Sequence, residues 1–449
     1  MPVVVPFFSG AKQLTIDFAE SVVILRGAPD DKITHVLQGE VNIVLTRPML
    51  VSRVAVKFVG KSYSLWPEGI GARKTKLYHE KTIHEQNIIL QSFLESPKHE
   101  GVLEAGVHRW PFQFLLSNQL IETIEDDMAK VYYYLSASVH RVGMGATKLR
   151  CRRDVLLLRT PNWSDNALTA NSLPTTSIQS ERQLDVCDAS ICIEKSNVSS
   201  GTQFPISISL SPNRKHVFIE AISVILTEKR VYRLPEFQAR RVELHDFKVT
   251  LASVASCVDP ALTSAQGLIP ELSLKEMRRA LGVKNAHIPL DEGPFQHRLV
   301  FTLPNCVHLN HTSTFSEISI RHTLKIHIEV AADTDDGGHT RTHIRLETPI
   351  TILDCRLKED YNTLPTYEEA LLHDSVVDEN DMSESSTKPT GFFMCPCYLE
   401  YKKKRKCSGK DWMKIRDGQH NRPDTRFRRA ATCLQRYRPK TPLKYVYYS

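Results

Sequence analysis

Few residue groupings in this 449-residue chain have the spacing that catalysis requires. Gly69-Ile70-Gly71 begins like a dinucleotide-binding turn, but Lys74 stands where the third glycine should be. His84-Glu85 begins like a zinc-protease motif, but Ile88 replaces the second histidine. The Gly-x-Ser-x-Gly turn that exposes a nucleophilic serine is also missing. We therefore expect a protein that is not an enzyme and that needs no cofactor or metal.

One short segment has the chemistry of docking instead. Leu364, Pro365, Thr366 and Tyr367 form a Leu-Pro-x-Tyr motif ahead of an acidic run. Proline fixes φ and biases the preceding residue to an extended conformation, so the segment is half-ordered as polyproline II. Aromatic-lined grooves of WW-type domains bind such peptides at low entropic cost. A turn that packs Tyr367 back on its own domain is the alternative.

The end of the chain is strongly basic. Residues 400–449 hold 16 Lys and Arg but only 4 Asp and Glu, although the whole chain carries a net charge of +7. The remainder is therefore slightly acidic, and the basic character belongs to the tail. The densest cluster is Lys402, Lys403, Lys404, Arg405 and Lys406. Such a cluster suits an anionic membrane surface, a nuclear address, a nucleic-acid patch or a solvated disordered tail, and we expect nucleic acid to be an unlikely partner.

Composition points to the cytoplasm. The ten cysteines are too sparse for a disulfide scaffold in a chain of this length, and the N-terminal sequence lacks the features of a secretory signal. No apolar run approaches the roughly 18 residues needed to cross a bilayer.

Hydrophobic periodicity predicts an all-β protein. In the first 160 residues, about eight short segments alternate apolar and polar residues, most clearly residues 51–60 and 130–142. A similar series of strands occupies residues 185–353, interrupted by one helix that a Ser273–Glu276 capping box would start. We expect two tandem immunoglobulin-like β-sandwiches with a disordered C-terminal tail.

Composition also sets the expected boundaries. The first sandwich takes residues 1–160, a linker rich in Pro, Asn, Ser and Thr takes 161–181, and the second sandwich takes 182–357. A further linker, 358–390, holds the Leu-Pro-x-Tyr motif and the acidic run, and 391–449 is the basic tail.

Several stretches resemble the α-arrestins of fungi. Gly106 and His108 precede a Pro-Phe-x-Phe strand at residues 111–114, as in the N-domain signature of that family. Residues 124–137 resemble the strand that follows it. In the second half, residues 318–325 resemble an x-His-x-Leu strand, and residues 347–353 resemble the closing strand. The resemblance covers about residues 10–372 and implies arrestin-type N and C domains.

The resemblance implies an adaptor. α-Arrestins recruit HECT-type ubiquitin ligases through Pro-x-Tyr motifs to membrane transporters or receptors, which are then ubiquitinated and endocytosed. Leu364, Pro365 and Tyr367 would contact the ligase, with Leu364 standing where stronger motifs have a second proline. The protein would be cytoplasmic and recruited to the plasma membrane and endosomes.

The cargo contact is not marked by a motif. By analogy with the family, Arg53, Lys57, Lys229 and Arg230 are candidates for binding acidic or phosphorylated cargo tails, because basic side chains suit phosphate. Two alternatives stay open: a retromer-like sorting scaffold that works without a ligase, and nucleic-acid or membrane association through the basic tail.

Overall fold

The computed structural model describes residues 11–18, 22–70, 75–93, 101–142, 148–161, 177–256, 273–290, 294–333 and 338–357. These residues belong to two compact units: the described residues up to 161 form unit 1, and those from 177 to 357 form unit 2. Strands dominate both units, which confirms the all-β prediction of two tandem sandwiches. The Leu-Pro-x-Tyr motif, the acidic run and the basic tail all lie outside the described residues.

Unit 1 contains two sheets. A three-stranded sheet has the order β1-β3-β7, and a larger sheet has the order β2-β10-β9-β4-β5, with β6 paired to β4 and β8 to β9. All its described pairings are antiparallel except β2 with β10. The strands are β1 (Ala11–Phe18), β2 (Val22–Arg26), β3 (Thr34–Leu45), β4 (Met49–Ile70), β5 (Thr75–Ser92), β6 (Gly101–Leu103), β7 (Gly106–Ser117), β8 (Ile124–Glu125), β9 (Ala129–Arg141) and β10 (Leu149–Thr160).

The neighbouring strands β4 and β9 lie inside the larger sheet of unit 1, and their alternating residues form much of its core. Val54, Val56 and Phe58 of β4 are completely buried, as period-two patterning requires. On β9 the same side carries Tyr133, whose ring stacks on Phe58 with centroids 5.5 Å apart. A Cβ atom at Gly60 would lie 2.4 Å from that tyrosine ring, so glycine is required where the ring crosses the strand.

Unit 2 repeats the arrangement. A five-stranded sheet has the order β11-β12-β14-β19-β17, and a larger sheet has the order β13-β22-β21-β15-β16, with β18 paired to β15 and β20 to β21. The first strand begins at Ile178, inside the stretch expected to be a linker. The strands are β11 (Ile178–Gln183), β12 (Cys187–Ile193), β13 (Asn197–Ser199), β14 (Gln203–Pro212), β15 (Val217–Leu234), β16 (Ala239–Lys248), β17 (Thr250–Ser256), β18 (Ile288–Pro289), β19 (Phe295–Thr302), β20 (Ser313–Thr314), β21 (Ile318–Asp333) and β22 (His339–Leu353).

The predicted helix is present in unit 2. Helix α1 (Leu274–Ala280) starts at Ser273, whose hydroxyl accepts from the Glu276 backbone N–H while the Glu276 carboxylate accepts from the Ser273 N–H. Met277 is fully buried against the core of unit 2. Two 3₁₀ turns, Pro235–Phe237 and Cys355–Leu357, complete the elements. Within the described residues, no helix has the length and apolar character to cross a membrane.

Candidate anion-binding face of unit 1

The outer side of the larger sheet in unit 1 gathers basic side chains. Arg53 lies opposite His140, and Lys57 lies four positions further along β4. Arg150 of β10 lies opposite Ser138 of β9, and Lys148 directly precedes β10. Side chains two residues apart share a face, so the register places these groups on the side opposite the core. We call this set the basic face: Arg53, Lys57, His140, Lys148 and Arg150.

Mutual repulsion is visible in the acid–base properties of the basic face. Partial burial, followed by the charges of Arg150, Arg53 and Lys57, lowers the pKa of Lys148. Burial, together with Lys148, Arg53 and Arg150, also lowers the pKa of His140, which keeps its ring neutral. The neutral ring can accept a hydrogen bond from the Arg53 guanidinium, 3.2 Å away. An anion bound here would relieve the repulsion among these cations.

Among the carboxylates of the described residues, one pairs with the basic face, and its partner there is Lys57. Lys57 donates to Glu85 over 2.6 Å, and both side chains are close to half exposed. Within the described part of the chain, Lys148 and Arg150 form no ion pair. Exposed pairs of the Lys57–Glu85 kind contribute little to stability and exchange readily for another anion. Lys148 and Arg150 are therefore the cations most available to a ligand.

Small residues lie between the basic side chains of this face. Ala55 and Ser138 lie opposite each other in the register, and both are nearly buried among the longer side chains around them. The Ser138 hydroxyl donates to the Ala55 carbonyl oxygen over 3.5 Å. Ser136, opposite Lys57, continues this row of small residues along the same side of the sheet. Such a row allows an extended peptide to approach the sheet closely.

A tyrosine cluster continues the same side of the sheet. The rings of Tyr132 and Tyr134 stack with centroids 6.3 Å apart, and the guanidinium of Arg152 lies 3.9 Å from the centre of the Tyr134 ring. Burial, followed by the charge of Glu80, raises the pKa of Tyr132 to about 12, so its hydroxyl stays neutral. Tyrosine and arginine are enriched in protein interfaces, which makes this cluster a natural extension of the basic face.

The two candidate residues of unit 2 point in opposite directions. Lys229 is exposed, but its neighbour Arg230 is only 6% exposed and lies on the core side of β15. The guanidinium of Arg230 donates to Glu228 over 2.5 Å. Successive strand residues face opposite sides, so the two could not serve one surface. Arg230 is a buried structural cation and presents no fork to a ligand, which corrects the expectation for this residue.

The partner of Arg230 is the centre of a buried polar network. The carboxylate of Glu228, with no exposed surface, also accepts from His322 Nε2 over 3.1 Å and from the backbone N–H of Asn310 over 2.8 Å. The other ring nitrogen of His322 lies 2.9 Å from the Thr312 hydroxyl. These bonds tie residues 310–312 to the larger sheet of unit 2. Neither this network nor any other part of the described chain contains a group of three or more His, Cys, Asp or Glu side chains that could hold a metal ion.

Sequence reasoning found only part of the basic face. It selected Arg53 and Lys57 but missed His140, Lys148 and Arg150, although Lys148 and Arg150 alternate along one strand. The remaining predicted sites, Leu364–Tyr367 and Lys402–Lys406, lie outside the described residues and stay predictions.

Comparison with known families decides the identity of the fold. Residues 28–161 match the family described as Arrestin (or S-antigen), N-terminal domain, and residues 187–357 match its C-terminal domain. The chain belongs to the arrestin family. Several of its fungal relatives are named arrestin-related trafficking adapters, which places this chain among the α-arrestins and confirms the resemblance.

Three relatives illustrate the kinship. Two relatives come from Schizosaccharomyces pombe, and both are named arrestin-related trafficking adapters. The first is 24% identical to this chain over 87% of its length, and the second is 22% identical over 79%. The matches cover 59% and 72% of those two relatives. A HECT-type ubiquitin ligase-interacting protein, creD of Aspergillus clavatus, is 26% identical over 34% of the chain and 26% of its own length.

Proposed function

We propose that this α-arrestin is an adaptor, not an enzyme, that brings a HECT-type ubiquitin ligase to plasma-membrane transporters or receptors and so promotes their ubiquitin-dependent endocytosis. The kinship with trafficking adapters and with a protein named for its ligase interaction supports this role. The protein would act from the cytoplasm at the plasma membrane and endosomes.

The ligase contact would be the Leu-Pro-x-Tyr motif. Pro365 would enter the aromatic slot of a WW domain and Tyr367 the adjoining pocket, because polyproline II places them on neighbouring ridges. Only a few residues are involved, so the affinity of one motif is modest unless several WW domains act together.

A pull-down on an immobilised array of WW domains tests the motif. Substituting Pro365→Ala with Tyr367→Ala in the full chain should abolish capture. The chain offers a matched control in Pro396 and Tyr398, a second Pro-x-Tyr spacing that follows a cysteine instead of a leucine. The same two alanine substitutions there should leave capture nearly unchanged. Equal capture of the wild type and the Pro365/Tyr367 variant would remove the motif from the mechanism.

The cargo contact would be the basic face. The observation that carries this part is the crowding of Lys148 and Arg150 beside Arg53 and Lys57 without enough carboxylates to neutralise them. An acidic or phosphorylated cargo tail would lie along the row of small residues and pair with the basic side chains around it. Lys229 of unit 2 remains a separate, exposed candidate.

Fluorescence polarisation with a synthetic triphosphoserine peptide tests the cargo contact. Lys148→Ala with Arg150→Ala should weaken binding by about tenfold, since an exposed ion pair contributes about 0.2–1 kcal/mol and losing two such pairs costs up to about 1.4 kcal/mol or slightly more. The matched control is Arg214→Ala with Lys215→Ala, which removes the same charge from exposed positions in unit 2. Equal loss in both variants would show that only net charge matters.

A further inference from the structure

One end of unit 1 carries an unusual set of exposed aliphatic side chains. Val44, Leu50, Val102 and Val107 are between 38% and 58% exposed. They form two cross-strand pairs, Val44 opposite Val107 and Leu50 opposite Val102. Single exposed aliphatic residues are ordinary, but directly paired ones on neighbouring strands form patches. We call these four residues the apolar collar.

The apolar collar lies at one end of the sandwich, with one pair on each of its two sheets. The Val44–Val107 pair belongs to the three-stranded sheet, whereas the Leu50–Val102 pair belongs to the larger sheet. Both pairs adjoin the turns that join the two sheets, residues 46–48 and 104–105. Their neighbours Leu45, Val51 and Leu103 are buried in the core, so the two pairs face away from it on opposite sides of the sandwich.

Basic residues ring the same end. Arg47 in one turn and Arg109, two residues beyond Val107, are exposed. Lys148 and the exposed Arg150 belong to the same end, because β9 finishes opposite the start of β4 and β10 begins beside that finish. Glu104 is the acidic residue of the two turns. The end is therefore apolar at its rim and positive around it.

We propose that this end of unit 1 enters the headgroup region of an anionic bilayer. A protein partner with a flat surface would cover one side of the sandwich and leave the other pair exposed. A bilayer interface covers both pairs at once as the end dips in, and its anionic lipids pair with the surrounding arginines and lysines. This contact goes beyond the proposed function, since it requires neither the ligase motif nor a cargo tail.

The three-stranded sheet contains its own matched control. Val36 lies opposite Leu115, and these side chains are 50% and 58% exposed. They share the outer side with Val44 and Val107 but lie eight residues away along β3, about 26 Å at the rise of a strand. A general effect of surface hydrophobicity would involve this distant pair equally, whereas insertion of the end would not.

Vesicle co-sedimentation of the full chain tests the proposal. Val102→Thr with Val107→Thr keeps the β-branched shape, and we expect it to weaken partitioning to phosphatidylcholine–phosphatidylserine vesicles by about tenfold, from the transfer of two methyl-sized groups. The control variant, Val36→Thr with Leu115→Thr, should partition like the wild type. Vesicles of phosphatidylcholine alone should bind every variant weakly, because the basic ring has no counter-charge.

The basic tail is separated by working in a second background. Substituting glutamine for each of residues 402–406 removes the cluster that could hold the chain to vesicles on its own. The difference between collar and control variants should persist there. Equal partitioning of the collar and control variants in both backgrounds would overturn the proposal. So would a collar variant that loses only phosphopeptide binding, since a protein partner would then occupy this end.

Discussion

Removing the charge of Glu228 should destabilise unit 2 strongly. Its carboxylate is fully buried and accepts hydrogen bonds from Arg230, His322 and the backbone of Asn310. Glu228→Gln keeps the shape and an acceptor oxygen but removes the buried negative charge that faces the guanidinium of Arg230. Breaking a buried ion pair in this way costs about 3–5 kcal/mol.

The acid–base properties of the site give a second measure of the same energy. Burial alone would raise the pKa of Glu228, but Arg230 and His322 outweigh it and lower the pKa from 4.5 to about 2. A shift of this size corresponds to roughly 3 kcal/mol of stabilisation. Because the folded-state pKa is depressed, this stabilisation is present above pH 4.5 and disappears as the pH falls towards 2.

Hydrogen exchange read by mass spectrometry is the appropriate assay, since it separates the two units within one chain. Amides of β15 should lose at least about 100-fold in protection if they exchange through global unfolding of unit 2, whereas β4 in unit 1 should be unaffected. Replacing both partners, Glu228→Leu with Arg230→Met, should recover part of the loss, because no buried charge from this pair is then unpaired. The exposed-pair control, Glu85→Gln, should change nothing.

Two results would refute this reasoning. Unchanged protection of β15 in Glu228→Gln would mean that the buried guanidinium finds water or another acceptor at little cost. A double variant as unstable as the single variant would mean that packing around residues 228 and 230, not their charge, supports the site.

Two further predictions concern the cores. A Cβ at Gly39 would lie 2.2 Å from the Asp17 carbonyl oxygen and 2.8 Å from the Phe112 ring. Gly39→Ala should therefore displace β1 and lower the free energy of unfolding by about 1–3 kcal/mol. An unchanged thermal unfolding temperature of unit 1 would contradict this. Cys187 is fully buried, and this burial, followed by the nearby charge of Asp188, raises the pKa of its thiol to about 11. We therefore expect Cys187 to resist iodoacetamide at neutral pH until the chain is unfolded in urea. Peptide mapping that finds Cys187 alkylated in the native protein would show local opening.

Alternation alone predicted the fold class and the central strands. The pattern of residues 51–60 assigned Val54, Val56 and Phe58 to one side of a strand, and all three are completely buried. The capping box predicted the start of the one described helix at Ser273. These features depend on near neighbours in the chain, which a sequence displays directly.

Features that depend on pairing between distant strands were not predictable in the same way. In β15 the register shifts between Ile219 and Ala221, so the buried side passes from odd to even residue numbers. Even-numbered residues from Ile222 onwards face the core, and Arg230 follows them inward. The alternation beyond Ile222 indicates that Arg230 faces the core, whereas the adjacency of Lys229 and Arg230 alone suggests a shared basic surface.

The basic face illustrates the same limit. Lys148 and Arg150 lie near Arg53 only because β10 pairs with β9 and β9 pairs with β4. Nothing local in the sequence specifies that order of strands. The alternation of Lys148 and Arg150 predicts that they share a side, but whether that side adjoins Arg53 requires the sheet.

Buried cations that already have a carboxylate partner and the crowded cations of the basic face differ in what an anionic ligand can gain from them. In unit 2, buried Arg230 and Arg356 pair with carboxylates two residues away, Glu228 and Asp354. A ligand there would have to replace a partner already in place, so little free energy remains to be gained. On the basic face of unit 1, partial burial and then the charges of Arg150, Arg53 and Lys57 lower the pKa of Lys148, and a bound anion would offset the repulsion among these cations. Selection of cargo by charge should therefore depend mainly on the basic face of unit 1, and the control substitutions Arg214→Ala and Lys215→Ala in unit 2 should leave it intact.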